Sequence, residues 1–327
     1  MNRVVVLGAT GSVGRAILGL IDERAFCPLS SIVALASSRS AGKEVSVGEL
    51  GVLPVESAEG FTFQKGDLVF SALGADAALQ HVPRAQAAGA FVIDKSAAFR
   101  NEAPLVIPEI NSDVLKGGAS LVCSPNCVAI PLVLALHPLH QEFDATFVSV
   151  ATYQSVSGAG KKGMDALFTE TRAFLMAGSP KADNSPLGGP IAFNVLPTIG
   201  SLDDAGVSDE EQKIRDETRR FLGEDVDIVA TAVRVPTFIG HGMAVTVSFN
   251  QAIQASTAAD ILESAPGVVV AQRHIGPTDI VSEDLVKVAR IRQVNANTLA
   301  FWVVGDNLRK GAALNAIQIA EARRELY

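Results

Sequence analysis

Three groups of residues in this chain have types and spacings that could do chemistry. The first is Ser124-Pro125-Asn126-Cys127, which leads into an apolar stretch that reads as a helix. A cysteine at a helix N-terminus feels the positive end of the dipole, which lowers its pKa and favours the thiolate. Cys127 is placed that way, whereas Cys123 ends a strand pattern and reads as buried. The pair does not suggest zinc, because no second cysteine pair accompanies it and the five histidines are scattered. The second group is Arg234-Val235-Pro236-Thr237-Phe238-Ile239-Gly240-His241-Gly242. A histidine between two glycines is expected in a turn, with room to reach a substrate as general base. His81, His137, His140 and His274 lack such a setting and read as structural or surface residues.

The third group is Gly8-Ala9-Thr10-Gly11-Ser12-Val13-Gly14, between an apolar strand and a helix at the chain start. There a phosphate would meet free main-chain N–H groups and a helix N-terminus. Gly8, Gly11 and Gly14 would let the backbone approach a pyrophosphate, with Thr10, Ser12 and Val13 completing the turn. The next strand ends Ala36-Ser37-Ser38-Arg39-Ser40, without the acid that binds ribose hydroxyls in NAD enzymes. Arg39, with Ser37 and Ser40, suits a 2′-phosphate, so the expected cofactor is NADP.

These residues need elements to hold them. Strands are expected at 4–7, 32–35, 68–72, 91–94 and 121–123, with helical spacing between them and a glycine helix end at Gly89. That alternation predicts an α/β domain with a Rossmann-type, doubly wound parallel sheet. The second half differs. Strands are expected at 146–155, 227–234, 243–251 and 297–304, and helices at 161–177 and 208–222. Residues 178–190, rich in Gly, Pro, Asn and Asp, read as a surface loop that could act as a lid. An α+β domain with an antiparallel sheet follows, and 310–324 closes the chain as an amphipathic helix. The expected domains are 1–126, completed by 307–327, for the dinucleotide, and 127–306 for catalysis and dimerisation.

Composition narrows the classes. The 327 residues suffice for two cores, and 48% apolar content excludes a disordered chain. A net charge of −8 argues against nucleic acid or an anionic membrane as partner. No apolar run is long enough to span a bilayer. Three cysteines do not make a disulfide framework, and Met1-Asn2-Arg3 runs directly into a strand pattern without signal-peptide features. A cytoplasmic protein is expected.

Taken together, the segments 8–14, 37–42, 92–100 (VIDKSAAFR), 106–111 (VIPEIN), 124–127 (SPNC), 152–160 (TYQSVSGAG), 193–197 (FNVLP), 234–241 and 305–321 (GDNLRKGAALNAIQIAE) resemble the aspartate-β-semialdehyde dehydrogenase family nearly end to end. The resemblance implies NADP- and phosphate-dependent oxidation of aspartate 4-semialdehyde to 4-aspartyl phosphate. In the biosynthetic direction the reaction would be a reduction feeding lysine, methionine and threonine. It implies Cys127 as nucleophile through a thiohemiacetal and a thioester, Asn126 orienting the reacting group, Gln154 positioning the thiol, and His241 as acid/base. Arg234 would clamp the substrate carboxylate, Glu210 would bind its amino group, and Lys213 and Arg100 would bind phosphate. By pattern alone Glu210 and Lys213 would be a solvated helix face, and Arg100 an ordinary loop arginine. A homodimer or homotetramer is implied too, with no metal.

The chain departs from the family pattern at Val128-Ala129-Ile130 after the nucleophile, at Gly242-Met243 after the histidine, at Lys95, and at Ala72-Leu73-Gly74. These departures keep two alternatives in view: an N-acetyl-glutamyl-phosphate reductase-like enzyme and a non-catalytic dinucleotide-binding paralogue.

Overall fold

The computed structural model describes residues 3–178 and 185–326. The chain forms two compact units, Met1–Pro125 with Ala312–Tyr327 and Asn126–Gly311.

In the first unit, β1 (Val4–Leu7), β2 (Ile32–Ala36), the hairpin β3 (Glu44–Val47) and β4 (Gly51–Ser57), β5 (Leu68–Ser71), β6 (Phe91–Asp94) and β7 (Leu121–Cys123) form one seven-stranded sheet. Its order is β3-β4-β2-β1-β5-β6-β7. Only β3 runs antiparallel, as an edge strand on β4. The central strands are apolar on both faces because helices cover both. Val4, Val5, Val6 and Leu7 are all buried, and so is every residue of β5 and β6. Helices α1 (Ser12–Glu23), α2 (Ala75–Ala87) and the one-turn α3 (Pro108–Asn111) belong here, together with the C-terminal helix Leu314–Glu325.

The β3–β4 hairpin has no counterpart in the strands expected from sequence. Its alternation is short and interrupted by Pro54. The C-terminal helix also differs from expectation. It starts with a π-type turn at Arg309–Ala313, and Leu314, Asn315, Ala316, Ile317, Ile319 and Ala320 are all buried. It is therefore enclosed over its first turns and not amphipathic there. The amide of Asn315 is satisfied by Val106 O and Ser124 Oγ at 3.0 and 2.9 Å.

The second unit holds a six-stranded sheet ordered β11-β12-β13-β10-β8-β9. Its strands are β8 (Ala145–Gln154), β9 (Asp227–Arg234), β10 (His241–Phe249), β11 (Val268–Val270), β12 (Val286–Asn295) and β13 (Thr298–Gly305). The sheet is mixed, not antiparallel throughout, since β8–β9 and β11–β12 are parallel pairs. Helices α4 (Ala129–Phe143), α5 (Gly160–Ala177), α6 (Asp209–Leu222) and α7 (Ala255–Ser264) accompany it. Along β8 the even-numbered residues Val148, Val150, Thr152 and Gln154 are buried, while Phe147 and Tyr153 on the other face are exposed. Within the loop expected at 178–190, residues 179–184 lie outside the described residues, and those from 185 to 190 form neither helix nor strand.

Candidate active site

At the start of α4, the Asn126 amide oxygen accepts hydrogen bonds from the N–H groups of Val128 and Ala129 at 2.7 and 3.4 Å. Its main-chain carbonyl accepts from Ile130 N–H at 3.1 Å. Asn126 thus closes a turn immediately ahead of α4, whose N-cap is Val128, and Cys127 lies in that turn. Val128, Ala129 and Ile130, the departure beside Cys127, are fully buried and anchor the turn.

Helix α6 supports this corner. Ser208 and Glu211 form a reciprocal capping box, as the S-x-x-E spacing favours. From the next positions, Glu210 and Glu217 lie seven residues apart on one helix face. Glu210 Oε1 accepts from Asn126 Nδ2 at 3.0 Å and from Gln154 Nε2 at 3.1 Å. Glu217, buried, accepts from the Asn126 main-chain N–H at 2.5 Å. Lys213 Nζ lies 3.8 Å from Glu210 Oε2.

The remaining groups come from one row across the sheet. Register pairs Gln154 with Arg234 on β9 and with His241 on β10. Paired residues on neighbouring strands project to the same face, so Arg234, Gln154 and His241 stand side by side. His241 is therefore the first residue of a strand and fully buried, which corrects the expectation of an open turn. Gly242 next to it leaves space for the Trp302 indole, which a Cβ there would overlap. That accounts sterically for a glycine at this departure.

Cys127 Sγ lies 3.6 Å from His241 Nε2. Burial and the neighbouring Arg234 charge push the His241 pKa down to about 3, so the ring is neutral at pH 7. Burial also lowers the Arg234 pKa, opposed by the charges of Glu210 and Cys127. Arg234 Nη1 donates to Ser155 O at 2.9 Å. A Cβ on Gly158 would stand 2.8 Å from that Nη1 and 3.6 Å from His241 Nε2, so the backbone passes directly against both side chains. The unit thus brings together a thiol, an imidazole, a guanidinium, an ammonium and carboxylates. This set can form a covalent adduct with a carbonyl and hold a zwitterionic amino acid beside it.

Arg100 belongs to the first unit, where it donates to Lys95 O at 2.8 Å and is buried. Lys95, a departure from the family pattern, donates to Pro125 O at 2.8 Å.

The glycine turn of the first unit fits a dinucleotide. Gly8 has φ +80°, and a Cβ there would stand 2.6 Å from Ala72 O. A Cβ on Gly14 would overlap Gly8 O and Ala9 Cα. No side chain caps α1, whose first turn carries no acid, so its N–H groups face an open turn. Ser37, Ser38 and Arg39 are exposed after β2, and Ser40 is partly so. Ser38 N–H donates to Glu59 at 3.3 Å.

Comparison with known proteins agrees with this geometry. The family model described as "Semialdehyde dehydrogenase, NAD binding domain" matches residues 3–118. The model described as "Semialdehyde dehydrogenase, dimerisation domain" matches 136–310. The curated aspartate-semialdehyde dehydrogenase of Rickettsia conorii is 42% identical over 331 residues, covering 97% of this chain and 96% of that protein. This chain belongs to the aspartate-semialdehyde dehydrogenase family. The family member of Synechocystis is 40% identical, with 98% and 96% of the two chains covered. Among solved structures of the family, aspartate semialdehyde dehydrogenase II from Vibrio cholerae, complexed with ASA, superposes with TM-score 0.94. It is 35% identical, with 100% of this chain and 99% of that one covered.

Several residues of the site escaped the sequence reading. Glu217 looked like one more charge on an acidic helix; only its seven-residue spacing from Glu210 hinted at a shared face. Ser155, Ser157 and Asn307 are buried around His241. They sit inside the quoted motifs, yet nothing in their type pointed to the imidazole.

Proposed function

We propose that this protein catalyses the NADP- and phosphate-dependent interconversion of L-aspartate 4-semialdehyde and 4-aspartyl phosphate, in the cytoplasm and biosynthetically in the reductive direction. The observation that carries this reading is the Cys127 Sγ–His241 Nε2 approach of 3.6 Å, flanked by Arg234, Gln154 and Glu210. The turn at Gly8, Thr10, Gly11, Ser12, Val13 and Gly14 would hold the dinucleotide, with Ser37, Arg39 and Ser40 toward a 2′-phosphate; bound there, it supplies the hydride acceptor.

Cys127 attacks the aldehyde carbon to give a thiohemiacetal, and the oxidised adduct is a thioester. Attack by inorganic phosphate on the thioester carbonyl forms the acyl phosphate and returns the sulfur as thiolate, a competent leaving group. His241 is the acid/base group facing the sulfur and the carbonyl-derived oxygen. Asn126 orients the reacting carbonyl, and Gln154 holds the adduct. Arg234 forms a fork for the α-carboxylate. Glu210 takes the ammonium group. Its contacts to Asn126 and Gln154 link amino-acid binding to the nucleophile's support. Lys213 and Arg100 take phosphate.

The first unit is the dinucleotide-binding domain and the second the catalytic and dimerisation domain. The open face of the second sheet carries exposed Phe147, Tyr153 and Val229, apolar side chains suited to cover by a second copy of the chain. The match to a dimerisation domain supports that occupant.

The deciding experiment follows NADPH formation by absorbance from aspartate semialdehyde, with and without phosphate, beside Cys127→Ser. Phosphate-dependent turnover lost in the variant is expected. Turnover with N-acetyl-glutamate semialdehyde only, or dinucleotide binding with no turnover, would overturn the assignment.

A further inference from the structure

The His241 ring is held on both nitrogens. Nε2 faces Cys127 Sγ, and Nδ1 lies 3.1 Å from the Ser155 main-chain N and 3.1 Å from Ser155 Oγ. A main-chain N–H can only donate, so Nδ1 must offer its lone pair to Ser155. A neutral imidazole carries one proton, which is thereby assigned to Nε2. The nitrogen facing the nucleophile is then a donor, and the sulfur is its acceptor.

Asn307 holds Ser155 and the approach to β10 in this arrangement. Its Oδ1 accepts from Gly240 N–H at 2.9 Å and lies 3.2 Å from both Ser155 Oγ and Ser157 Oγ. Its Nδ2 donates to Ser157 Oγ at 2.9 Å. Ser155, Ser157, His241 and Asn307 are all buried. Among the described residues, the hydrogen-bond partners of Nδ1 come from Ser155 alone, and no carboxylate is there to stabilise an imidazolium. The charged and titratable groups facing the pair lie on the sulfur side: Arg234 from β9, Glu210 from α6, and Cys127 itself.

We propose that the Ser155 main-chain N–H, positioned by Asn307, locks His241 as the neutral tautomer protonated on Nε2, so that Cys127 Sγ accepts that hydrogen bond and its thiol proton, when lost, leaves to solvent and not to the imidazole. His241 starts each cycle as a donor, first to the sulfur and then to the oxygen that becomes negative when the sulfur adds to the carbonyl. The nearby N-terminus of α4 and the Arg234 charge favour negative charge on the same sulfur. The low pKa of the ring points in the same direction. This inference rests on the catalytic pair proposed above and specifies its starting proton state.

The test is nitrogen NMR of the full-length enzyme labelled with 15N-histidine, with the His241 signals identified by their loss in His241→Asn. A pyridine-type Nδ1 and a pyrrole-type Nε2 are expected at pH 7, unchanged down to pH 5. An imidazolium pattern, or a protonated Nδ1, would overturn the proposal. In parallel, alkylation of the Cys127 peptide by iodoacetamide is followed against pH by mass spectrometry. Asn307→Ala is expected to raise the midpoint by about one pH unit, the size of one hydrogen bond to a charged group. Ser155→Ala, which keeps the N–H, is expected to retain the pyridine-type Nδ1 signal. A lower melting temperature in Asn307→Ala with an unmoved midpoint would reduce Asn307 to a structural role and remove it from the proposal. Turnover is measured separately. Phosphate-dependent activity with a protonated Nδ1 would sink this inference alone. The expected tautomer without turnover would sink only the assigned reaction.

Discussion

At the residue scale, Cys127 and His241 depend on neighbours with little chemistry of their own. Gly158 is the sharpest case, because any side chain there meets Arg234 Nη1 at 2.8 Å. Gly158→Ala is expected to lower kcat/KM by about 10²-fold through misplacement of the guanidinium, with an unchanged circular dichroism spectrum. Steady-state kinetics checks this, and a loss under threefold would refute it. Arg234→Lys replaces a fork by a point charge, so a loss of order 10²-fold in kcat/KM is expected, in keeping with one to two lost charged hydrogen bonds. The buried ring of His241 also sets a pH dependence. Its pKa is about 3 folded against 6.5 for an ordinary histidine, so between those values the unfolded chain binds a proton that the native state does not. Stability therefore rises with pH across this window and is lost as pH falls below about 6.5, at up to about 1.4 kcal/mol per unit from this one group. Urea unfolding at pH 7, 6 and 5 should show that slope reduced in His241→Asn. Equal slopes in both proteins would contradict it.

At the element scale, α6 holds the turn that carries Cys127. Its two carboxylates reach Asn126 from one helix face, Glu210 to the side chain and Glu217 to the main-chain N–H. Glu217→Ala removes the acceptor of a buried N–H, which costs about 1–3 kcal/mol. It should also lower kcat, because Asn126 and Cys127 share that turn. Denaturant unfolding together with kinetics reads both effects, and a stable variant with full kcat would remove Glu217 from the support of the site. The strand carrying Gln154 and the helix 208–222 were legible from periodicity. The reach of Glu217 was not, because hydrogen-bonding it to Asn126 spans 91 residues of chain. The β3–β4 hairpin was not legible, because its alternation is short and is interrupted by Pro54.

At the scale of the whole molecule, the proposed function gives the two units separate tasks. The parallel sheet presents an uncapped helix start behind a turn where Gly8 and Gly14 permit close backbone approach. Gly14→Ala should weaken NADP binding by at least tenfold, read by fluorescence titration, while leaving Cys127 alkylation intact; unchanged binding would argue against this turn as the cofactor site. The second sheet leaves Phe147, Tyr153 and Val229 exposed on one face. If a second copy covers that face, Tyr153→Asp with Val229→Asp should shift the sedimentation coefficient to that of a monomer. A double variant that sediments with the wild type would place the interface elsewhere.

Sequence by itself determined the family, the parallel sheet of the first half, the helix that follows Cys127 and the glycine turn, because each is written in local spacing and residue type. It did not determine that His241 begins a buried strand, since flanking glycines say that a backbone is crowded without saying by what. Tertiary structure decided the row of Arg234, Gln154 and His241, because strand register is set by packing across β8, β9 and β10. It also decided which nitrogen of His241 carries the proton. That depends on a main-chain N–H at Ser155, 86 residues away in the chain, and every residue type but proline carries the same group.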